Sequence, residues 1–362
     1  VLAGGEIDHA DFRDRVQQVV TQALDEQGIA LHAVSPDLAE LTDAISALLN
    51  GGKRLRPAFC YWGWRGAAGA PDNQPEFDDA ALRAASALEF LQACALIHDD
   101  VMDGSDTRRG LPAAHRRFAT VHRSSGWSGA AEDFGTGAAI LLGDLCLSWA
   151  DELLLTSGLP REALQRAKRV YDEMRTELMA GQYLDLLEQV RGGGSVQRAM
   201  LVVRYKSAKY TIERPLHIGA ALAGAGPEVF AAYTAYGLPL GEAFQLRDDV
   251  LGVFGDPSET GKPAGDDLRE GKRTVLIALA NEHANAQQQT VIRTYLGDPA
   301  LDASGVAALR SVIEDTGALA QTEAMIDDLL STAVSAAANP VITTEATEVL
   351  QALAYAATRR NG

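Results

Sequence analysis

The chain has 362 residues, 47% of them hydrophobic and 22% charged, with 32 Lys+Arg against 49 Asp+Glu for a formal net charge of −17. That length supports a sizeable core and the charged fraction argues against wholesale disorder. The negative balance excludes a nucleic-acid partner and strong attraction to anionic membranes, because phosphate surfaces demand positive potential. Any anionic ligand therefore needs a local cationic cluster. Cys60, Cys94 and Cys146 lie far apart in apolar stretches with no metal-ligand spacing, which points to buried free thiols in a reducing cytoplasm. The N-terminal residues carry neither a basic region nor an apolar core, so no signal peptide is expected. Acidic residues break the apolar run at 140–155, and Pro227 and Glu228 break the one after Ile218, so no transmembrane helix is expected either.

Taken in chain order, the punctuation is that of helices. Segments are predicted near 8–27, 36–49 (started by Ser35-Pro36), 55–68, 78–103, 136–157, 160–191, 195–224 with a bend near Pro215, 227–254 and 273–284, followed by shorter ones towards 359. No alternating β-branched run stands between turn signals, so the fold class is all-α. Two long irregular stretches are expected, at about 104–135 and 255–272, and loops of that length are usually functional. With no linker-like composition, 1–362 reads as a single helical domain, its motif-bearing core at about 50–275 and C-terminal helices at about 285–359.

Both irregular stretches follow a double aspartate. Ala84–Ile97 is apolar on nearly every face, as suits the centre of a bundle, yet it runs into His98-Asp99-Asp100-Val101-Met102-Asp103. Asp99 and Asp103 share a helix face by their spacing, and burying them unpaired would be costly. The arrangement returns in Gln245-Leu246-Arg247-Asp248-Asp249, again at the end of an apolar stretch. Two carboxylate clusters suit hard divalent cations such as Mg²⁺, which takes oxygen ligands and bridges to phosphates. Positive charge appears beside them: Lys53, Arg54 and Arg56 after Gly51-Gly52, then Arg108-Arg109, Lys206 and Lys209, Lys262, and Lys272-Arg273. Arg suits a diphosphate through its planar fork and Lys as a point charge.

These residues resemble the trans-polyprenyl diphosphate synthase family. The resemblance rests on Gly51-Gly52-Lys53-Arg54-Leu55-Arg56-Pro57, the Asp-Asp-x-x-Asp of 99–103 with Arg108-Arg109-Gly110, Lys206-Ser207, Gln245 with Asp248-Asp249, Gly261-Lys262 and Gly271-Lys272. It implies an isoprenoid-synthase-type helical bundle around a deep central cavity, Mg²⁺ dependence with up to three ions per site, and a cytoplasmic homodimer. Carried over by position, Asp99, Asp100, Asp103, Asp248 and Asp249 are the expected metal ligands. Lys53, Arg56, Gln92 and Arg109 are expected to bind isopentenyl diphosphate. Arg108, Lys206, Gln245, Lys262 and Lys272 are expected to bind the allylic diphosphate, with Lys206, Ser207 and Gln245 closest to the chemistry. Two departures stand out. Gly252 occupies the place of a third aspartate, so one ligand is lost or comes from Asp256, Asp266 or Asp267, and Ser207 replaces the commoner threonine.

The implied reaction is trans elongation of an allylic diphosphate by isopentenyl diphosphate. The helix bearing Asp99 serves as a ruler at ~5.4 Å per turn, about one isoprene unit. Small Cys94 and Ala95 leave the pocket open, and bulky Phe90 and Leu91, a turn further back, would close it at C20, geranylgeranyl diphosphate. Farnesyl or longer-chain synthesis is the alternative product, and a non-catalytic prenyl-diphosphate-binding subunit the alternative role. A terpene cyclase or head-to-head enzyme is disfavoured by the Gly-Gly-Lys-x-x-Arg-Pro segment and Gln92.

Overall fold

A computed structural model describes residues 9–191, 194–255 and 265–359 and confirms the all-α class. The only strands among these residues are the two-residue pair Thr107–Arg108 and Leu111–Pro112. The chain falls into two compact units, 1–61 with 72–164, and 62–71 with 165–362.

In the first unit, α1 (His9–Val34), α2 (Ala39–Leu49), α5 (Ala114–Ser124) and α6 (Ala131–Leu155) pack against α4 (Asp78–Asp103); α3 (Leu55–Arg65) begins here. A helix that is apolar all round has no solvent face to turn outward, and α4 is buried on every side from Ala81 to Ile97. The stretch Pro75–Asp103 is long and apolar enough to cross a membrane, but 72% of its most apolar window is buried within the protein. Gly143 lets α6 approach closely: a Cβ there would stand 2.1 Å from His98 Nε2. The three thiols are free and buried, and burial pushes Cys94 up to about 11.

Three sequence expectations need correction. The stretch 104–135 is no loop, for it holds the hairpin, all of α5 and the start of α6. In α5 the buried positions are His115, Phe118, Ala119 and His122, a helical period disguised because two of its core positions are histidines. α1 continues through Gly28 to Val34 rather than stopping near 27. The helix starting at Ser195 is not simply bent at Pro215. It comprises α8 (Val196–Val202), a π-helical segment Val203–Glu213, and α9 (Arg214–Ala223), with Pro215 in the first turn of α9. Proline has no N–H and its ring crowds the carbonyl four residues back, and both penalties fall where the wider π turn has just ended.

In the second unit, α7 (Arg161–Arg191, its first turn in the other unit), the π segment and α10 (Pro227–Phe254) carry the candidate site residues. α10 packs on the π segment and on the helix Ala318–Ala337. A further core forms where α8 and α10 meet the helices Val275–His283, Ala286–Tyr295 and Ala303–Asp315. The predicted C-terminal helices are present, ending with Thr344–Thr358.

Candidate active site

The C-terminal end of a helix is its negative pole, where cations are favoured. α4 instead ends in Asp99, Asp100 and Asp103 and has no basic residue in its last turn; Gly104, at φ +67°, closes it by donating to Asp100 O. The positive charge arrives from the hairpin. Arg108 donates from Nε to Asp100 Oδ1 at 2.9 Å and Oδ2 at 3.2 Å, and its Nη2 lies 3.7 Å from Asp99 Oδ2.

Four arginines gather beside this end. The turn after α2 places Gly52 against Arg109, whose guanidinium would lie 3.5 Å from a Cβ at 52 and whose Nη1 donates to Leu48 O at 2.7 Å. Arg109 and Arg54 both adopt left-handed backbone, φ +53° and +52°, which is uncommon outside glycine and is held here by the surroundings. Arg54 is buried and ion-paired with Glu89, and it also donates to Gln17 and Leu49 O, so it anchors the turn and leaves Lys53 exposed. Burial pulls Arg109 below the usual arginine value; Glu89 opposes this, and the charges of Arg54, Arg108 and Arg56 add to it. A cationic pocket that already strains its own guanidiniums is prepared for an anion. A cavity of about 140 Å³, lined among others by Ile97, Asp100, Arg108, Arg109 and Leu142, lies alongside. Gln92, half-buried on α4, stands one turn from Glu89 and so shares the arginine-facing side.

In the second unit the π segment carries Lys206 and buried Ser207, gripped between two glycines. A Cβ at Gly181 of α7 would come within 2.4 Å of Lys206 N, and one at Gly241 of α10 within 2.5 Å of Ala208 Cα. Lys206 Nζ pairs with Asp185 at 2.6 Å. Further along, Lys209 pairs with Glu177 at 2.7 Å and Arg214 with Glu173 and Glu177 at 2.7 Å, a network that braces the segment. On α10, Gln245 Nε2 donates to Asp249 Oδ1 at 2.7 Å. Burial drives the Asp249 carboxyl far above its usual range; the Gln245 amide opposes this, while the charges of Asp267 and Asp248 reinforce it. Lys272 lies 2.6 Å from Glu270 and 3.4 Å from Asp267. Among the described residues no three carboxylate, histidine or thiol groups form a ready metal cage.

The structure thus brings together Arg56, Arg108 and Arg109 near Asp99 and Asp100, and separately Gln245, Asp248 and Asp249. Lys262 and Asp256 fall outside the described residues. The four ruler residues divide between faces of α4. Buried Phe90 meets Trp149 edge-on with ring centroids 6.2 Å apart, and Cys94 Sγ lies 3.8 Å from His98 Nδ1, both on the side turned to α6. Ala95 and Leu91 stand one and two turns behind Asp99 on its own face. Sequence reasoning missed Asp185 and Glu89, the resident partners of Lys206 and Arg54. Gly181-Gln182 with Asp185 one turn later was the available signal for the first, hidden inside a long amphipathic helix.

The model of the polyprenyl synthetase family matches residues 38–313. A geranylfarnesyl diphosphate synthase of Aeropyrum pernix is 34% identical over 80% of this chain and 84% of its own. A geranylgeranyl diphosphate synthase of Sulfolobus acidocaldarius is 31% identical over 73% and 74%. The crystal structure of a geranylgeranyl pyrophosphate synthase from Corynebacterium glutamicum, complexed with isoprenyl diphosphate and magnesium, superposes with a TM-score of 0.92 at 42% identity, covering 96% of this chain and 98% of that one. Helical architecture, aspartate-terminated helices and family match agree: the chain belongs to the polyprenyl synthetase family and is a trans-isoprenyl diphosphate synthase, a prenyltransferase.

Proposed function

We propose that the enzyme adds isopentenyl diphosphate to an allylic diphosphate and stops at the C20 product, geranylgeranyl diphosphate. The observation that carries the chain length is the Asp99 face of α4, where small Ala95 is followed one turn deeper by Leu91, only 1% exposed. The open turn passes a C15 tail and the leucine blocks the next unit. Phe90, held by Trp149, backs that floor from the α6 side.

The donor set suits Mg²⁺. Every candidate ligand is a hard carboxylate oxygen, and Asp99, Asp103, Asp248 and Asp249 with Asp100 in reserve match an ion that takes one or two carboxylates and completes its shell with water and substrate phosphate. Burial of Asp249 beside other carboxylates is costly without a cation. Mg²⁺ bound at these groups would neutralise the diphosphate as it leaves. Arg108, Lys206 and Lys272 give up their resident carboxylates Asp100, Asp185 and Glu270 to bind allylic diphosphate oxygens, joined by Lys262 and Gln245. Lys53, Arg56 and Arg109, with Gln92, hold isopentenyl diphosphate. The C1–O bond of the allylic substrate breaks with its electron pair on oxygen, and the alkene of isopentenyl diphosphate forms the new C–C bond. A proton then passes from its C2 to the released diphosphate. The Ser207 hydroxyl and Gln245 carbonyl dipoles stabilise the cationic carbon.

The exposed apolar residues Phe134, Ile140 and Leu141 on α6, with Trp127 beside Phe134, support a homodimer through that face. Three buried thiols support a cytoplasmic setting.

Incubation with radiolabelled isopentenyl diphosphate, Mg²⁺ and each primer from C5 to C15, followed by chromatographic sizing, tests the reading. C20 is expected from the wild type, and longer products from Leu91→Ala and, more weakly, Phe90→Ala; unchanged lengths in both variants would remove this floor. A C25 product is the second reading, favoured by the relatives named geranylfarnesyl diphosphate synthase.

A further inference from the structure

The cavity beside the arginines, about 140 Å³, is bounded by the first unit alone. Its body is apolar, with Ala44 and Leu48 of α2, Ile97 of α4, Leu142 of α6, and Leu111 with Pro112 of the hairpin. Ile97 and Leu142 are 2% and 1% exposed and belong to the core, whereas Leu111 is 47% exposed, so the cavity runs from the core to the surface at the hairpin. Lys53, Arg56, Gln92 and Asp99 do not line it. Helix geometry gives the reason: Ile97 is displaced from Asp99 by about 200° around α4, whereas Gln92 shares the Asp99 face. The cavity therefore lies behind the aspartate face rather than on it.

Charge at its border is one-sided. Three guanidiniums, those of Arg108, Arg109 and Arg117, stand against the single carboxylate of Asp100. Arg108 is committed to Asp100, with Nε 2.9 Å from Oδ1. Arg109 Nη1 donates to a neutral acceptor, Leu48 O, at 2.7 Å. Arg117 Nη2 reaches Glu40 Oε2 at 3.2 Å, an exposed pair that an incoming anion can exchange. The space is close to the cavity of about 150 Å³ that accepts benzene in another protein, so it takes an apolar body of about six carbons.

We propose that this cavity is a second ligand site. It takes a small amphiphile whose anionic head, a carboxylate or a phosphate monoester, sits on Arg109 and Arg117, and whose apolar body lies against Ile97 and Leu142. A ligand held this way engages Arg109 without entering the Asp99 face, and so weakens the binding of isopentenyl diphosphate. That consequence, unlike the site itself, rests on the role given to Arg109 above.

The test is isothermal titration calorimetry of the full chain with hexanoate and with hexyl phosphate, using hexanol and inorganic phosphate as controls. Saturable binding of a hexyl anion is expected, at least about tenfold tighter than either control, because head and body both contribute. The tighter of the two anions shows which head the site takes. Ala44→Leu fills the cavity and should weaken binding by about tenfold or more. Arg117→Gln removes a surface partner of the head and should weaken it by about threefold or more. Both variants should keep the kcat of the wild type when no amphiphile is present. The site is overturned if neither hexyl anion binds more tightly than the controls, or if Arg117→Gln and a folded Ala44→Leu bind as the wild type does. In the enzyme assay the bound anion should raise the KM for isopentenyl diphosphate. Calorimetric binding without that rise leaves the site standing and removes Arg109 from the isopentenyl diphosphate reading.

Discussion

Asp99 sits one turn from the negative end of α4, where a carboxylate is least welcome without a cation, and Asp248 shares α10 with the buried carboxylate of Asp249. The role proposed for both is therefore functional rather than structural. Asp99→Ala and Asp248→Ala are expected to reduce kcat by about 10²–10³-fold, the usual scale for removing one element of leaving-group stabilisation, with circular dichroism and thermal midpoint preserved. Full activity in a folded variant would contradict the assignment. Glu89 is the opposite kind of residue. Its partner Arg54 is 3% exposed, so Glu89→Ala strands a buried guanidinium and should cost about 3–5 kcal/mol in chemical denaturation. Because Arg54 anchors the turn that presents Lys53 and Arg56, the KM for isopentenyl diphosphate should rise in the same variant. The amine and guanidinium groups proposed for the allylic diphosphate are spoken for by Asp100, Asp185 and Glu270, and exchange of one anion for another keeps them charged and placed.

The π segment Val203–Glu213 shows how an element sets a site. A π turn widens the helix and re-aims the side chains that follow, and it persists here between the glycine contacts at 181 and 241 and the ion pairs of Lys209 and Arg214. Gly181→Val drives a branched side chain into the backbone at Lys206 and should destabilise by about 1–3 kcal/mol. Displacing Lys206 and Ser207 by as little as an ångström should also cost roughly 10²-fold in turnover, measured under saturating substrate. Elements of this kind mark the limit of sequence reading. α4, α7 and α10 begin and end where proline, glycine and apolar period place them, since those signals are local. The π segment has no period of its own, and α5 hides its core positions under histidines. Asp267 was one of three stand-ins offered for a side chain missing at 252, and its contact with Gly252, across 15 residues of chain (267 − 252), is made only by the fold. The aspartates stood out because charge at the end of an apolar stretch needs a reason, and the arginines and Lys206 because they fall beside those clusters or match the family pattern; the partners Glu89 and Asp185 did not, being ordinary residues of long helices until the fold pairs them.

At the scale of the molecule, an excess of 17 negative charges surrounds substrates that are themselves anionic. Attraction must come from the local arginine group and from divalent ions, so turnover should depend steeply on Mg²⁺ and only weakly on monovalent salt beyond the range where charges are screened. Stability carries its own pH signature. Burial lowers His217 most strongly, with Glu213 opposing and Arg214 adding, and burial likewise lowers His115. The unfolded chain takes up these protons near 6.5 while the folded chain still refuses them, so the unfolded state binds more protons as pH falls below that value. Stability should be full above pH 6.5, decline as pH falls through the window beneath it, and level off once the folded histidines also protonate. Thermal midpoints across that range check the sign, and His217→Gln should flatten the slope; a midpoint that rises on acidification would contradict it.

The measurement that bears most directly on the proposed chemistry is the anomalous scattering of Mn²⁺ in crystals of the full chain grown with isopentenyl diphosphate and a non-reactive allylic diphosphate analogue. Manganese peaks are expected at Asp99 and Asp103 and at Asp248, with analogue phosphate oxygens completing their coordination. Bound analogue with no manganese at either group of aspartates would contradict the account.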